Sequence, residues 1–267
     1  MISKTDTIKI QKIAEVFGKS RDILFITGAG ISAESGVPTY RGIGGLYNRG
    51  TTEEGIPIEM ILSSIMIAKR PELTWKYLAA MEKPCRNARF NAAHRIIADL
   101  EKRLRRVTVL TQNVDGFHKD AGSTNVIDIH GDFRRLYCMN RACTHTREAH
   151  SYEAFTIPPA CPECGGLLRP DIVLFGEILP EAKIERLQAE MDAGFDMVFS
   201  IGTTSVFPYI KYPVEWARRK GIPTVEINPS TTEISGIVDF KIDAKAVETL
   251  CALMERIHPP DAEEPVL

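Results

Sequence analysis

The sequence predicts an α/β protein built on a doubly wound, mostly parallel sheet with helices on both faces. Three observations carry that prediction. Short apolar runs of strand length recur at 22–27, 107–110, 126–129, 172–175, 197–201 and 223–227. Segments of helical period stand between several of them, at 92–105, 181–193 and 212–220. Strands buried on both faces are apolar without alternation, and parallel strands need a long crossover between them. The third observation is that the first run ends in Gly28 and Gly30, where such a strand turns tightly into a helix.

Taken in order, residues 5–19 predict a helix with Ile8, Ile13, Val16 and Phe17 on its apolar face. The run 22–27 reads as a fully buried strand. Two later stretches break the alternation of strand and helix. Residues 40–84 contain glycines and a helical part at 59–69 but no clear buried strand. Residues 137–168 are rich in Cys, Pro and polar residues and have little apolar periodicity. Both read as insertions that together form a second, smaller domain. The expected division is 1–39, 85–136 and 169–258 for the large domain, with 40–84 and 137–168 forming the small one. The tail, 259–267, is expected to be frayed and flexible.

Charge excludes one class of partner. The chain has 33 Lys and Arg against 35 Asp and Glu, a net charge of −2, so no strong field for nucleic acid is expected. Residues 1–12 alternate apolar and charged side chains and lack the apolar core of a signal peptide. No run approaches the ~18 apolar residues of a membrane span. The expectation is a soluble, cytoplasmic protein with neither a membrane nor a direct nucleic-acid partner.

Gly28, Gly30 and Ala33 match G-x-G-x-x-G/A directly after a predicted strand. In that pattern the first glycine permits the turn and the second lets a pyrophosphate approach the backbone. The small third residue lets the helix pack closely, and its first amides favour the anion. The acidic residue expected about 20 positions on, at the end of a second strand, is missing. That region is loop-like at 41–48, and Glu53 and Glu54 have no strand before them. A dinucleotide would therefore be held in another posture than in a dehydrogenase, and simple hydride transfer loses ground.

Four of the six cysteines are clustered as Cys138-x4-Cys143-x17-Cys161-x2-Cys164. Two short-spaced pairs can converge on one zinc ion, and four thiolates would close the site and make it structural. Gly165 and Gly166 suit the turn that aims such sulfurs inward. Two disulfides and a redox CxxC pair are the alternatives, and His145 or His150 could replace a ligand. Cys85 and Cys251 stand alone.

Gln112, Asn113 and Asp115 follow the run 107–110, and His130 follows 126–129. All four thus fall at C-terminal strand ends, where open α/β sheets place ligands. Asn and Asp can hydrogen-bond an amide or water, and His can take a proton near neutral pH.

With these motifs in hand, the sequence resembles the sirtuins, NAD-dependent protein-lysine deacylases, in their bacterial and archaeal-like type. The carriers are GAGISAESGVPTYRG at 28–42, TQNVD at 111–115, His130-Gly131, the four cysteines, FGE at 175–177, GTTS at 202–205 and Ile227-Asn228. The likeness covers about 13–250. It implies a Rossmann-like domain and a small domain of zinc module and helical insertion, with NAD and an acyl-lysine peptide meeting in the cleft between them. The acyl oxygen would attack C1′ of the nicotinamide ribose, and nicotinamide would leave. His130 would then act as general base on a ribose hydroxyl, and water would release lysine and O-acyl-ADP-ribose.

The resemblance also implies individual roles. Gly28, Ala29, Gly30, Ser32 and Arg41 would serve the phosphate side, and Tyr40 would cover the nicotinamide site. Asn113, a second catalytic candidate beside His130, would hold the carboxamide with Asp115, while Gln112 contacts the ribose. Gly202, Thr203, Ser205 and Asn228 would hold the adenosine half, with Ala246 near the adenine. Val173, Phe175, Gly176, Glu177, Val206 and Phe207 would bind the peptide as an added strand, through backbone hydrogen bonds. Cys138, Cys143, Cys161 and Cys164 would bind the single structural zinc.

The chain departs from the family at two places. Tyr40 stands where the family usually has Phe. Leu78 and Met81 fall where members removing succinyl or malonyl groups carry Tyr-x-x-Arg, so an anionic acyl group would lack its partner. Deacetylation is therefore expected, with longer neutral acyl chains or mono-ADP-ribosyl transfer as alternatives.

Overall fold

The structure, a computed structural model, describes residues 2–39 and 51–257. In chain order its elements begin with α1 (Lys4–Phe17), β1 (Asp22–Thr27), α2 (Ala29–Ser32), α3 (Ile58–Ile61), α4 (Ser64–Lys69), α5 (Pro71–Arg86) and α6 (Ala92–Leu100). There follow β2 (Arg106–Thr111), α7 (Phe117–Asp120), β3 (Val126–Asp128), β4 (Gly131–Cys138), β5 (Thr146–Glu148) and β6 (Leu168–Ile172). The chain continues through α8 (Glu181–Asp192), β7 (Met197–Ile201), α9 (Pro208–Arg219), β8 (Thr224–Ile227), β9 (Phe240–Ile242) and α10 (Ala246–Ile257).

Six strands form one sheet in the order β3-β2-β1-β7-β8-β9, and every pairing is parallel. This is the doubly wound, Rossmann-like arrangement that the sequence predicts. β1 shows why its strands lack alternation. Ile23 and Phe25 join the core that includes Ile13 and Phe17 of α1, Ile97 of α6 and Leu250 of α10. Leu24 and Ile26 join the opposite core, with Leu187 and Met191 of α8 and Trp216 of α9. Strand order reverses between β1 and β7, and a crevice opens at the C-terminal ends beside such a switch point.

The second sheet is small and antiparallel, in the order β5-β4-β6. Its side chains Phe133, Leu136 and Leu168, with Tyr152 from the loop after β5, pack with Leu62, Ile67, Trp75 and Leu78 from the helical segment. Trp75 Nε1 donates to the Leu168 carbonyl at 2.9 Å, tying the two segments together. β4 starts at Gly131 and β6 ends at Ile172, so this sheet extends beyond 137–168 at both ends, and α5 runs through the position expected to divide 84 from 85.

Three expectations are corrected. The buried face of α1 is Ile10, Ile13, Ala14 and Phe17, while Ile8 is 62% exposed: the i, i+3, i+4, i+7 stripe is shifted from the predicted one. The run 172–175 is not a strand of the large sheet. Ile172 ends β6, Val173 N donates to the His130 carbonyl at 2.8 Å, and Phe175 bridges to Ser63. The helix expected at 59–69 is split into α3 and α4, because Ser63 caps α4 by accepting from Met66 N at 3.1 Å. β9, a three-residue edge strand, was not foreseen. Among the described residues no helix is long and apolar enough to cross a membrane.

Candidate active site

A cleft of about 550 Å³ opens at the C-terminal ends of β1, β2, β7 and β8 and continues to the second sheet. The glycine turn forms part of its floor. Gly28 N donates to the Ile201 carbonyl at 3.1 Å and Gly30 N to the Gly202 carbonyl at 2.8 Å. A Cβ on Gly28 would lie 2.8 Å from Thr203 Cβ, and one on Gly30 would lie 2.5 Å from Gly202 Cα. The bare Cα of Gly30 therefore admits the neighbouring loop, not only the pyrophosphate of the sequence reading. Gly202 reciprocates with φ +61, a conformation that favours glycine.

Asn113 is buried and donates through Nδ2 to the Gly28 carbonyl at 3.1 Å and to Ser32 Oγ at 3.2 Å. Ser32 Oγ in turn donates to Asp115 at 2.7 Å, and Asp115 also accepts from Phe117 N at 3.0 Å. Desolvation raises the Asp115 carboxyl above the ordinary range, and the hydrogen bonds oppose this. Gln112 Nε2 donates to Thr203 Oγ1 at 2.7 Å, joining β2 to the β7 loop.

His130 stands at the end of β3. Its Nδ1 lies 3.1 Å from the Gln112 carbonyl and its Nε2 2.7 Å from the Tyr209 hydroxyl. A carbonyl can only accept, so Nδ1 carries the proton and Nε2 presents the lone pair. Burial pushes the imidazole down to about 4, with Lys183 contributing, against a smaller upward effect of the Gln112 carbonyl. It is therefore a neutral base at pH 7.

At the other end, Asn228 Nδ2 donates to the Thr203 carbonyl at 3.1 Å, and Ala246 closes the floor. Ser205 adopts φ 54, and its buried hydroxyl has no hydrogen-bond partner among the described residues. The polar side chains Gln112, Asn113, Thr203 and Asn228 line this part of the cleft and fit a polar ligand. The wall towards the second sheet is apolar: Leu62, Leu78, Met81, Val114, Phe133 and Leu174.

Most of the expected site residues line this one cleft: Gly28, Ala29, Gly30, Gln112, Asn113, His130, Val173, Phe175, Gly176, Glu177, Gly202, Thr203, Phe207, Asn228 and Ala246. Ser32, Asp115 and Ser205 do not line it, and Val206 stands half-exposed outside the lining. Tyr40 and Arg41 lie outside the described residues. Glu177, expected to touch substrate, already has partners: it accepts from Arg169 Nη2 at 3.0 Å and from Leu174 N at 2.8 Å. Arg169 is almost fully buried, so its charge needs that carboxylate. Phe175 is also engaged, its N donating to the Leu62 carbonyl and its carbonyl accepting from Ser64 N. Sequence reasoning missed Tyr209, which no local signal separates from any other tyrosine on a helix.

The four cysteine sulfurs all lie within 4.8 Å of one another, with Cys138 to Cys164 at 3.5 Å and Cys143 to Cys161 at 3.8 Å. A tetrahedral zinc at ~2.3 Å from each sulfur requires separations of about 3.8 Å. One closed zinc site fits this donor set, and two separate disulfides do not. A Cβ on Gly166 would come within 3.1 Å of the Cys138 sulfur, so a side chain there would crowd the thiol cluster. His145 is turned to Glu163 at 3.0 Å instead.

The family model described as Sir2 family matches residues 28–208. The chain belongs to the Sir2 family. A curated sirtuin relative, "NAD-dependent protein deacylase 2" of Pseudomonas aeruginosa, is 47% identical over 252 residues, covering 93% of this chain and 97% of the relative. A solved Sir2 homologue mutant in complex with ADP-ribose superposes with a TM-score of 0.83 at 34% identity, covering 92% of this chain and 95% of the other. A Sir2–p53 peptide–NAD+ complex gives a TM-score of 0.78 at 27% identity, covering 92% and 97%.

Proposed function

We propose that this sirtuin is an NAD-dependent protein-lysine deacetylase that transfers the acetyl group to ADP-ribose, releasing nicotinamide and free lysine. One observation carries the reading. His130, neutral with a defined tautomer, stands where the polar glycine floor meets the apolar wall of a single cleft. The chemistry needs both surfaces at one base: polar groups for a dinucleotide, and a dry channel for an acyl-lysine.

NAD would supply the reactive ribose. The glycine turn, Gln112, Thr203, Ser205 and Asn228 would bind it, with Tyr40 and Arg41 assigned to nicotinamide and phosphate by family likeness alone. Asn113, fixed by Gly28 and Ser32, would orient the carboxamide side together with Asp115. His130 would take a proton from a ribose hydroxyl at Nε2, and the Gln112 carbonyl would stabilise the imidazolium through Nδ1. Val173 and Gly176, with Val206 and Phe207, would receive the peptide backbone. Glu177 would act by holding the 174–177 turn through Arg169. The cysteine cluster would keep one structural zinc, and thiolates held in this way suit a reducing, cytoplasmic setting. We divide the chain as the sequence reading does, but draw the small domain from Gly131 to Ile172, following its sheet.

Acetyl preference rests on Leu78 and Met81, both of which line the cleft. Lys245 is the sole lysine or arginine among the described lining residues, and its neighbours are Ala244 and Ala246, not this wall. A succinyl carboxylate would be desolvated there without a partner. The same apolar wall supports acceptance of longer neutral chains. The test is a panel of acyl-lysine peptides with NAD, measuring nicotinamide and O-acyl-ADP-ribose together. Acetyl is expected to exceed succinyl by at least ~10-fold in kcat/KM, and comparable values would overturn the preference. ADP-ribose added to protein, without O-acyl-ADP-ribose, would favour transferase activity instead.

A further inference from the structure

The His130 base is not free. Its Nδ1 proton is given to the Gln112 carbonyl at 3.1 Å, so Nε2 has one in-plane lone pair, and the Tyr209 hydroxyl meets it at 2.7 Å. Tyr209 is the second residue of α9 and lines the cleft. Its ring stacks on Phe207 at 5.5 Å and 14°, and both rings stand edge-on to His130 at 5.8 and 6.0 Å. Among the described residues the Tyr209 hydroxyl has no other hydrogen-bond partner. Burial raises its phenol to about 12, so it remains a donor across the working range.

We propose that Tyr209 is a positioning residue which holds the Nε2 lone pair of His130 in the ligand-free enzyme and gives it up to the ribose hydroxyl of bound NAD. The phenol occupies the hydrogen-bond position that the hydroxyl must take before its proton can pass to Nε2. It keeps the imidazole aimed into the cleft and neutral until the cofactor arrives. The inference rests on the deacylase reading for its kinetics but not for the hydrogen bond.

Other charges near His130 are already paired. Lys183 of α8 binds Asp128 at 2.8 Å, Lys119 of α7 binds the same carboxylate at 2.7 Å, and Arg134 binds Asp132 at 3.0 Å. Tyr209→Phe leaves all of these in place and keeps the stack on Phe207. It removes a bond donated to the neutral imidazole, so the His130 pKa must rise.

The experiment is an NMR titration of His130 in wild type and Tyr209→Phe, assigned with His130→Asn, first without ligand and then saturated with ADP-ribose. Without ligand, the variant is expected to titrate about half a unit to one unit higher. With ADP-ribose, the two should coincide. In turnover with acetyl-peptide, the acid limb of kcat/KM, which reports free enzyme, should shift upward, while that of kcat should not. An unshifted ligand-free titration overturns the proposal, and so does a difference that persists with ADP-ribose. A purely packing role would lower the Tm and leave the titration alone. If the variant does not fold, the wild-type Tyr209 Cζ resonance decides: it must move as its hydrogen bond is lost on adding ADP-ribose. A protein that passes the NMR test but releases no nicotinamide with acetyl-peptide would sink only the deacylase reading.

Discussion

All six residues of β1 are buried, and helices cover both faces of its sheet. β5, at the edge of the second sheet, is exposed at all three residues. The first sheet is held by apolar cores on two sides. The second has one apolar face, against α4 and α5, and its far end carries four thiols gathered within 4.8 Å. A small unit with so little core needs a staple, and a metal supplies one. The cleft joins these two kinds of construction, and the difference indicates where each should fail.

The largest effect expected is from Cys161→Ser or exhaustive chelation. Structural zinc is worth on the order of 10 kcal/mol or more to small modules. Deacetylation should vanish and the second sheet should lose protection in hydrogen exchange, while β1 and β2 stay protected. Equal loss of protection in both sheets would break the contrast.

His130→Asn should lower kcat by about 10²- to 10⁴-fold. Since the residue belongs to the chemistry, ADP-ribose affinity should change only a few-fold and Tm should not fall. Retained deacetylation would refute the assignment of the base.

Acid should act first on the large half. Burial holds His94 and His130 down at about 4 and His118 well below its ordinary value, whereas unfolded histidine titrates near 6.5. Below pH ~6.5 the unfolded chain takes up more protons than the folded one, so stability falls as pH drops from there towards 4. Each such histidine contributes up to ~1.4 kcal/mol per pH unit. Asp115, raised by burial, takes up a proton earlier when folded and offsets part of this loss. Urea midpoints between pH 7 and 5 should show the decline, and His118→Asn should flatten it. A flat wild-type profile would show that these imidazoles are not buried neutral.

The smallest effect expected is from Gly30→Ala. Its Cβ would meet the Gly202 backbone at 2.5 Å, and overpacking of this kind costs about 1–3 kcal/mol. ADP-ribose binding should weaken along with Tm. Weaker binding at unchanged Tm would return Gly30 to the simpler role of admitting a pyrophosphate.

The sequence alone was sufficient for whatever is encoded locally. Continuous apolar runs announced strands buried on two faces, and the residues just after three of them announced the cleft: Gly28, Gln112 and Asn113, and His130, while Gly202 and Asn228 came from the family resemblance. Cysteine spacing announced a zinc site, because two short loops already place sulfurs in pairs. Tertiary structure decided what depends on partners far along the chain. The apolar stripe of α1 could be read in more than one phase until α10 and β1 fixed which residues were covered. The run ending at Phe175 looked like a core strand, but the antiparallel ladder with β4 took Ile172, and Leu62 and Ser64 took Phe175. Glu177 lines the cleft, and its pairing with the buried Arg169 was not legible in the sequence. Tyr209 carried no signal, because a hydrogen bond between residues on different elements exists only once packing has brought them 2.7 Å apart.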